Sequence, residues 1–374
     1  MNRDILQAAP EELLGGLADK MAETPQNLRW HDEGSVLEHT KLVIKAMTDT
    51  PAFLKADDRM RQILYLAAVF HDIGKIRATR LKDGKWVSPG HARVGAEMAR
   101  QILLREFGLC GTPEKQDIRE TVCGLIRYHS LPPYAIENGD GKLRLMRAAA
   151  NGELIPSFTV RQLCTLSEAD ALGRIGDDKA DMLDRITLCA ELAKETGCYN
   201  GPYPFPTEHT AYAYFSGKNI SPEYPLYDGT WGKVILLSGL PGTGKDTWIQ
   251  NNCPQLPRIS LDEIRKELNI PPTQNQGRVV DTARERAREL LRKKQSFVWN
   301  ATNILPMTRK QQVDLFAAYG ASVHLVYLEA EWDEQLRRNA GRKDAVPEST
   351  ISNMLEKLTP PERFEAHQVA WHCV

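Results

Sequence analysis

With 374 residues, 42% of them hydrophobic and 26% charged, the chain is long enough for two domains and has the composition of a folded globular protein. A formal net charge of −1 excludes a molecule-wide attraction to polyanions, so any nucleic acid must be met by a local basic patch. Seven cysteines without a Cys-x-x-Cys pair exclude a zinc ribbon and a disulfide framework. Met1-Asn2-Arg3-Asp4 leads into no apolar signal region and no apolar run reaches membrane length, so a cytoplasmic protein without a membrane partner is expected.

Residues 11 to about 197 alternate helical periodicity with short polar breaks, without a convincing strand pattern. One helix opens at the capping box Ser35-Val36-Leu37-Glu38 and carries Val36, His39 and Val43 on one face. Another runs through Gln62-Ile63-Leu64-Tyr65-Leu66 to Phe70, where His71-Asp72 closes the apolar run ahead of Ile73-Gly74-Lys75. A third ends at Arg127-Tyr128-His129, stopped by Pro132-Pro133, with His129 at helical spacing from Val122 and Ile126.

Any one of these histidines reads as an ordinary hydrogen-bonded core residue. As a set with His91 and Asp170, they form a group of polar side chains whose burial would cost on the order of several kcal/mol without a common purpose. Imidazoles and carboxylates projecting inward from several helices are how helical bundles build metal sites. Adjacent helical residues diverge by about 100°, so His71 and Asp72 are expected to share one ion only at the rim of the bundle.

Residues 198–230 break the pattern, holding six of the eleven tyrosines, Phe205, Phe215 and five prolines. They are expected to be an aromatic, proline-rich linker between a domain at 1–197 and another at 231–374. Their rings suit packing between domains, with base stacking as the alternative.

From residue 231 onward, apolar runs at Val234–Ser238, Ser296–Trp299 and Val323–Leu328 alternate with helical stretches such as 280–293. This predicts a parallel sheet flanked by helices. Directly after the first run comes Gly239-Leu240-Pro241-Gly242-Thr243-Gly244-Lys245-Asp246-Thr247. Glycines allow a tight turn whose N–H groups point at phosphate oxygens, aided by the following helix N-terminus, and Lys245 reaches the outer phosphates. Asp246 stands where a Ser or Thr usually binds Mg²⁺, leaving Asp246 and Thr247 as alternative partners of the ion. Asp262, at the start of a short helix, is a candidate general base for an attacking hydroxyl, and Arg265 lies one turn on. Arg338 and Arg342 are spaced either as a solvated basic face or as an arginine lid over the transferring phosphate.

The series Gly34–Thr40, His71-Asp72-Ile73-Gly74-Lys75, Gly90-His91, Tyr128-His129 and Glu168–Arg174 resembles an HD-superfamily phosphohydrolase, in particular the HD domain of some bacterial tRNA nucleotidyltransferases. The resemblance spans about 31–174 and implies that His39, His71, Asp72 and Asp170 hold a divalent transition metal. His91 and His129 would complete a second site or contact the substrate phosphate. Lys75 and Arg174 would be phosphate ligands, with simple salt bridges as the alternative, and His31 would be a possible additional member.

The second half, over about 231–358, resembles the 5′-hydroxyl polynucleotide kinase family through residues 239–248, Asp262-x-x-Arg265, Ala301-Thr302-Asn303 and Arg338-Asn-x-x-Arg342. That implies Lys245 on the phosphates, Asp262 as base, Arg265 on the acceptor strand and Arg342 on the transition state. Ala301 stands where the phage member of the family has Asp, and Asn300 is placed to take part of that role. The whole arrangement resembles the bacterial HD-domain polynucleotide kinases. The expectation is an N-terminal all-α HD bundle joined to a C-terminal α/β P-loop kinase with a helical lid. It would use ATP or another NTP with Mg²⁺ in one site and Ni²⁺, Co²⁺ or Mn²⁺ in the other. RNA ends, or DNA ends, would be its substrates. The chain carries no Lys-x-Asp-Gly ligase signature, so joining the healed ends would need a separate ligase. A nucleoside kinase fused to a nucleotide phosphohydrolase is the alternative enzyme, and an NTP-dependent RNA-binding switch the non-enzymatic one.

Overall fold

A computed structural model describes residues 5–27, 32–137 and 139–374. The chain divides into two compact units, one formed by 1–109 with 114–204 and the other by 110–113 with 205–374.

The first unit is helical. Ser35 caps the helix Val36–Asp49 by accepting a hydrogen bond from the Glu38 N–H at 3.3 Å. Asp57 does the same for Met60 N–H at 2.8 Å, starting the helix Asp58–Phe70. In that second helix every residue from Ile63 to Phe70 is buried, which is why its sequence loses amphipathic patterning and becomes a continuous apolar run. The helix Val160–Gly173 packs tightly on Val36–Asp49: a Cβ on Gly173 would sit 2.7 Å from the backbone nitrogen of Val43. Only glycine permits that approach, and the approach carries Asp170 to His39.

Strands β1 (Arg80–Lys82) and β2 (Lys85–Val87) form an antiparallel hairpin in this unit, correcting the strand-free expectation. Each strand is short and largely exposed, so no burial alternation marks it. The signal is the turn, where Asp83 and Gly84 both take positive φ (50° and 72°), as a two-residue hairpin requires.

The second unit is built on a five-stranded, all-parallel sheet in the order β4-β5-β3-β6-β7, comprising β3 Lys233–Ser238, β4 Arg258–Ser260, β5 Val298–Asn300, β6 Ser322–Glu329 and β7 Gln368–Cys373. Alternate residues of β3 enter different cores: Val234 and Leu236 join Trp299, Phe316 and Leu325, while Ile235 and Leu237 join Ile249, Val298 and Leu328. Both faces are therefore buried, which explains the unbroken apolar runs. Sequence patterning does not mark β4, with three residues, or β7, whose burial alternates weakly. The chain leaves β3 to β4 on one side and reaches β6 on the other, so the crevice at the C-terminal end of β3 is a switch point of the kind that binds ligands.

The stretch expected to link the domains divides between the units. Tyr199 O accepts from the Arg161 N–H at 2.9 Å in the first. Residues 205–230 belong to the second and contain the helix Glu208–Phe215, whose Tyr212 stacks on His367 at 3.8 Å between centroids. The ring-rich composition thus reflects packing within a unit. Among the described residues, no helix is long and apolar enough to cross a membrane.

Candidate functional sites: a His/Asp cluster and a phosphate loop

The first site gathers side chains from distant parts of the helical unit. Asp58–Phe70 ends at Phe70, so His71 caps the helix and Asp72 lies in the turn beyond it, free of the 100° divergence that a continuing helix would impose. His39, His71 and Asp72 place ligand atoms within 4.8 Å of one another, and so do Asp72, His91 and His129, making Asp72 common to both groups. His39 Nε2 lies 3.0 Å from Asp170 Oδ1 and 3.8 Å from Asp72 Oδ2. His91 Nε2 lies 3.4 Å from Asp72 Oδ1 and 3.2 Å from His129 Nε2. His39 and His71 are completely buried, and Asp72, His129 and Asp170 nearly so.

Three of these rings are oriented by one device. The Nδ1 atoms of His71, His91 and His129 face the backbone oxygens of Ala68, Ser88 and Ile126 at 2.8, 2.9 and 2.7 Å, three residues upstream in each case. Donating Nδ1–H to a carbonyl leaves Nε2 as the lone-pair atom facing the cluster, the tautomer a metal ligand needs. His39 is held at Nδ1 by Glu33, 2.8 Å away, giving the carboxylate–imidazole support found behind metal ligands. His71 Nε2 and Asp72 Oδ1 are buried without a well-formed hydrogen bond to any described residue. Such atoms are costly unless a cation takes them up, so the donor set fits a divalent metal.

Burial alone would raise the carboxyls of Asp72 and Asp170, but their neighbours reverse this. Lys75 and His71 hold Asp72 well below the usual range, and Arg174 with His39 does the same for Asp170. Burial pushes His129 down to about 3 and lowers His91, keeping both neutral. Lys75 Nζ bonds Asp72 Oδ2 at 2.6 Å and Gln26 Oε1 at 2.8 Å, and Arg174 pairs with Asp170 Oδ2 at 3.3 Å. Both cations also line an open cavity of about 610 Å³ that reaches Asp72, His91, His129 and Asp170. His31 lies outside the described residues.

The second site follows β3. Gly239, Gly242 and Gly244 have φ of 146°, 84° and 78°. A Cβ on Gly239 or Gly242 would lie 2.5 Å from the carbonyl oxygen of Leu328 or Gln335, respectively. The helix Lys245–Asn252 starts directly after this loop, with Asp246 and Thr247 exposed in its first turn, while Thr243 is buried with Oγ1 donating to Leu240 O at 2.9 Å. Lys245 folds back onto the loop, donating to Gly239 O and Leu240 O at 2.9 and 2.8 Å. Burial pushes its ammonium down to about 8, against the pull of Asp246, and Arg342 and Asp262 also act on it.

Asp246 accepts from Asn300 Nδ2 at 2.8 Å, and Arg258 approaches the same oxygen at 3.4 Å. Asn300 ends β5, so the strand delivers it to the loop. Asp262 is exposed and paired with Arg265, which also bonds Gln276 Oε1 at 2.7 Å. Arg338, on the helix Trp332–Ala340, reaches within 3.8 Å of the position of a Cβ on Gly244 and pairs with Glu334 at 2.7 Å. Arg342 follows that helix in an exposed turn. Asn300 and Arg338 thus lie at the phosphate loop, Asp262 and Arg342 are near enough to act on Lys245, and Arg265 is placed against Asp262 and Gln276. Glu33, Gln26 and Arg258 are the participants sequence reasoning missed.

Comparison with known proteins agrees with this division. Residues 36–164 match the HD domain family model, and residues 234–361 match an AAA domain model. The chain thus joins an HD domain to a P-loop, kinase-like domain. It is similar to the L-seryl-tRNA(Sec) kinase of Methanococcus maripaludis, with 24% identity over 135 residues, 34% of this chain and 53% of that protein. It therefore spans about half the length of that curated relative. A candidate kinase from Chloroflexus aurantiacus J-10-fl shares 15% identity over 38% of this chain and 86% of its own, but a TM-score of 0.33 carries no argument.

Proposed function

We propose that the protein heals nucleic-acid ends, RNA foremost: the second unit phosphorylates a 5′-hydroxyl from ATP or another NTP, and the HD unit hydrolyses 2′,3′-cyclic or 2′(3′)-phosphate ends. The observation that carries this reading is the union in one chain of a phosphate loop beside an exposed Asp262–Arg265 pair and a His/Asp cluster on a cavity lined by Lys75 and Arg174. The resemblance to an enzyme named as an L-seryl-tRNA(Sec) kinase accords with an RNA-borne acceptor.

In the kinase site, Lys245 leaves its two loop carbonyls and moves to the nucleotide phosphates. Asp262 takes the proton of the acceptor hydroxyl, Arg265 grips a neighbouring acceptor phosphate, and Arg338 and Arg342 close on the transferring group. Asp246, steadied by Asn300, would hold the Mg²⁺ that accompanies the phosphates. In the HD site, His39, His71, Asp72 and Asp170 would hold one divalent transition metal, with His91 and His129 completing a second position around Asp72. When bound, the metal would activate water at neutral pH and supply charge for the phosphoryl oxygens. Lys75 and Arg174 hold the phosphate against that cluster.

The test is to incubate an RNA oligonucleotide bearing a 5′-hydroxyl and a 2′,3′-cyclic phosphate with ATP and Mg²⁺, Mn²⁺, Co²⁺ or Ni²⁺, then read both ends. Gain of a 5′-phosphate and loss of the terminal phosphate are expected. Preference for free nucleosides over oligonucleotides would replace this reading with a nucleoside kinase fused to a nucleotide phosphohydrolase. On the end-healing reading, a separate ligase would seal the healed ends.

A further inference from the structure

Trp86 and Tyr134 line the same cavity as the His/Asp cluster, yet they remain 40% and 41% exposed. Their positions follow from the histidines. Trp86 lies on β2 just ahead of Ser88, whose carbonyl orients His91, and Tyr134 ends the short turn Pro132–Tyr134 that follows His129. Each aromatic therefore stands five residues from one of the two histidines that share Asp72. Leu81 lies directly across the hairpin from Trp86 and is also exposed, extending an apolar face.

A phosphate held by Lys75, Arg174 and the cluster would occupy only a fraction of about 610 Å³, a volume in the range of pockets that enclose whole organic ligands. Resting on the end-healing reading, we infer that Trp86 and Tyr134 form a clamp that stacks on the nucleobase of the terminal nucleotide whose phosphate meets the metal. Stacking reads a base by its π-face, so the clamp accepts all four bases and requires one of them. It also separates the HD reaction on nucleotide ends from hydrolysis of simple phosphoesters, which fill the phosphate position and leave the aromatics bare.

The test uses the full chain and an RNA trinucleotide that ends in 2-aminopurine and carries a non-hydrolysable phosphonate at its terminal ribose. Binding is read as quenching of the 2-aminopurine and as affinity by anisotropy. In the wild-type protein the fluorescence should fall several-fold. Trp86→Ala and Tyr134→Ala should each remove most of the quenching and weaken binding about 10-fold, the size of loss expected for one stacked base. Trp86→Phe should restore much of both. A trinucleotide with an abasic end should bind the wild type and the alanine variants alike.

Undiminished quenching in Trp86→Ala, or the same loss of affinity for the abasic end, overturns the clamp. If the wild type binds the base-bearing and abasic ends equally well, the clamp falls while the end-healing reading stands. If it binds neither, the end-healing reading falls as well.

Discussion

The two sites keep their charge in opposite ways. In the HD unit, His39 and His71 are wholly buried, the rings are fixed by carbonyls and by Glu33, and the donors face inward. In the P-loop unit, Asp262, Arg265, Arg258 and Asp246 are exposed or partly so and satisfy one another. A metal site must meet its desolvation cost during folding, because a resident ion then holds the donors in place. A phosphate-transfer site can leave its charges in water and rearrange them when nucleotide and acceptor bind. The first site is thus a property of the fold, and the second a property of the bound state.

The largest expected effect follows from that contrast. Asp72→Ala removes the residue common to both ligand groups, so metal content should drop and hydrolysis of terminal 2′(3′)-phosphates should fall to background. Phosphorylation should continue, since the P-loop unit has its own phosphate loop and its own candidate base, Asp262. Metal analysis of the purified variant, with both end assays, checks this. Full hydrolysis, or loss of both activities in a folded protein, breaks the two-site model. A transition metal should also support hydrolysis better than Mg²⁺, because imidazole donors suit the former.

The reciprocal change is next in size. Asp262→Ala should lower 5′ phosphorylation by about 10²–10⁴ with hydrolysis intact, the usual loss for a general base. Lys245→Ala should abolish phosphorylation. Wild-type turnover in Asp262→Ala would remove that carboxylate from the reaction and leave its pairing with Arg265 as its whole role.

The same contrast explains what the sequence could convey. The phosphate loop was legible because Gly239, Gly242 and Gly244 adopt backbone conformations that side chains resist. His39 and His129 were legible as polar residues at helical spacing on apolar faces, the family resemblance grouped them with His71, Asp72, His91 and Asp170, and Gly173 now has a packing reason. Glu33 was invisible because it precedes the Val36 helix in a turn, where periodicity says nothing about which side chain meets His39. The Asn300–Asp246 bond depends on the ends of two elements meeting, a register that parallel pairing sets and local sequence does not. The hairpin was missed because its strands bury too little to leave a pattern.

Gly173→Ala tests whether the first site is indeed a property of its fold. The added methyl meets backbone at Val43, a neighbour that cannot swing aside, so a loss of roughly 1–3 kcal/mol in the stability of the helical unit is expected. Metal content should fall with it, because the Val160–Gly173 helix carries Asp170. Calorimetry should show a lower transition for this unit with the P-loop unit's transition unmoved. Unchanged metal binding would mean that Asp170 does not depend on that close approach.

The smallest effect concerns the second unit alone. His367 is buried, its Nδ1 accepts the Val323 N–H at 3.1 Å, and Tyr212 stacks on the ring. Burial pushes its pKa down to about 4, with the nearby His209 acting in the same direction. The folded value therefore lies below the unfolded one of about 6.5, and the unfolded chain takes up the proton first as pH falls. The stabilisation is fully present above pH ~6.5 and is lost as the pH approaches 4, at about 1.4 kcal/mol per pH unit inside that window. His367→Asn keeps an acceptor for Val323 but cannot titrate. Between pH 6 and 5, wild-type stability should fall relative to this variant by on the order of 1 kcal/mol. Parallel pH profiles for the two proteins would show that the imidazole is already protonated in the fold, which the hydrogen bond from Val323 forbids.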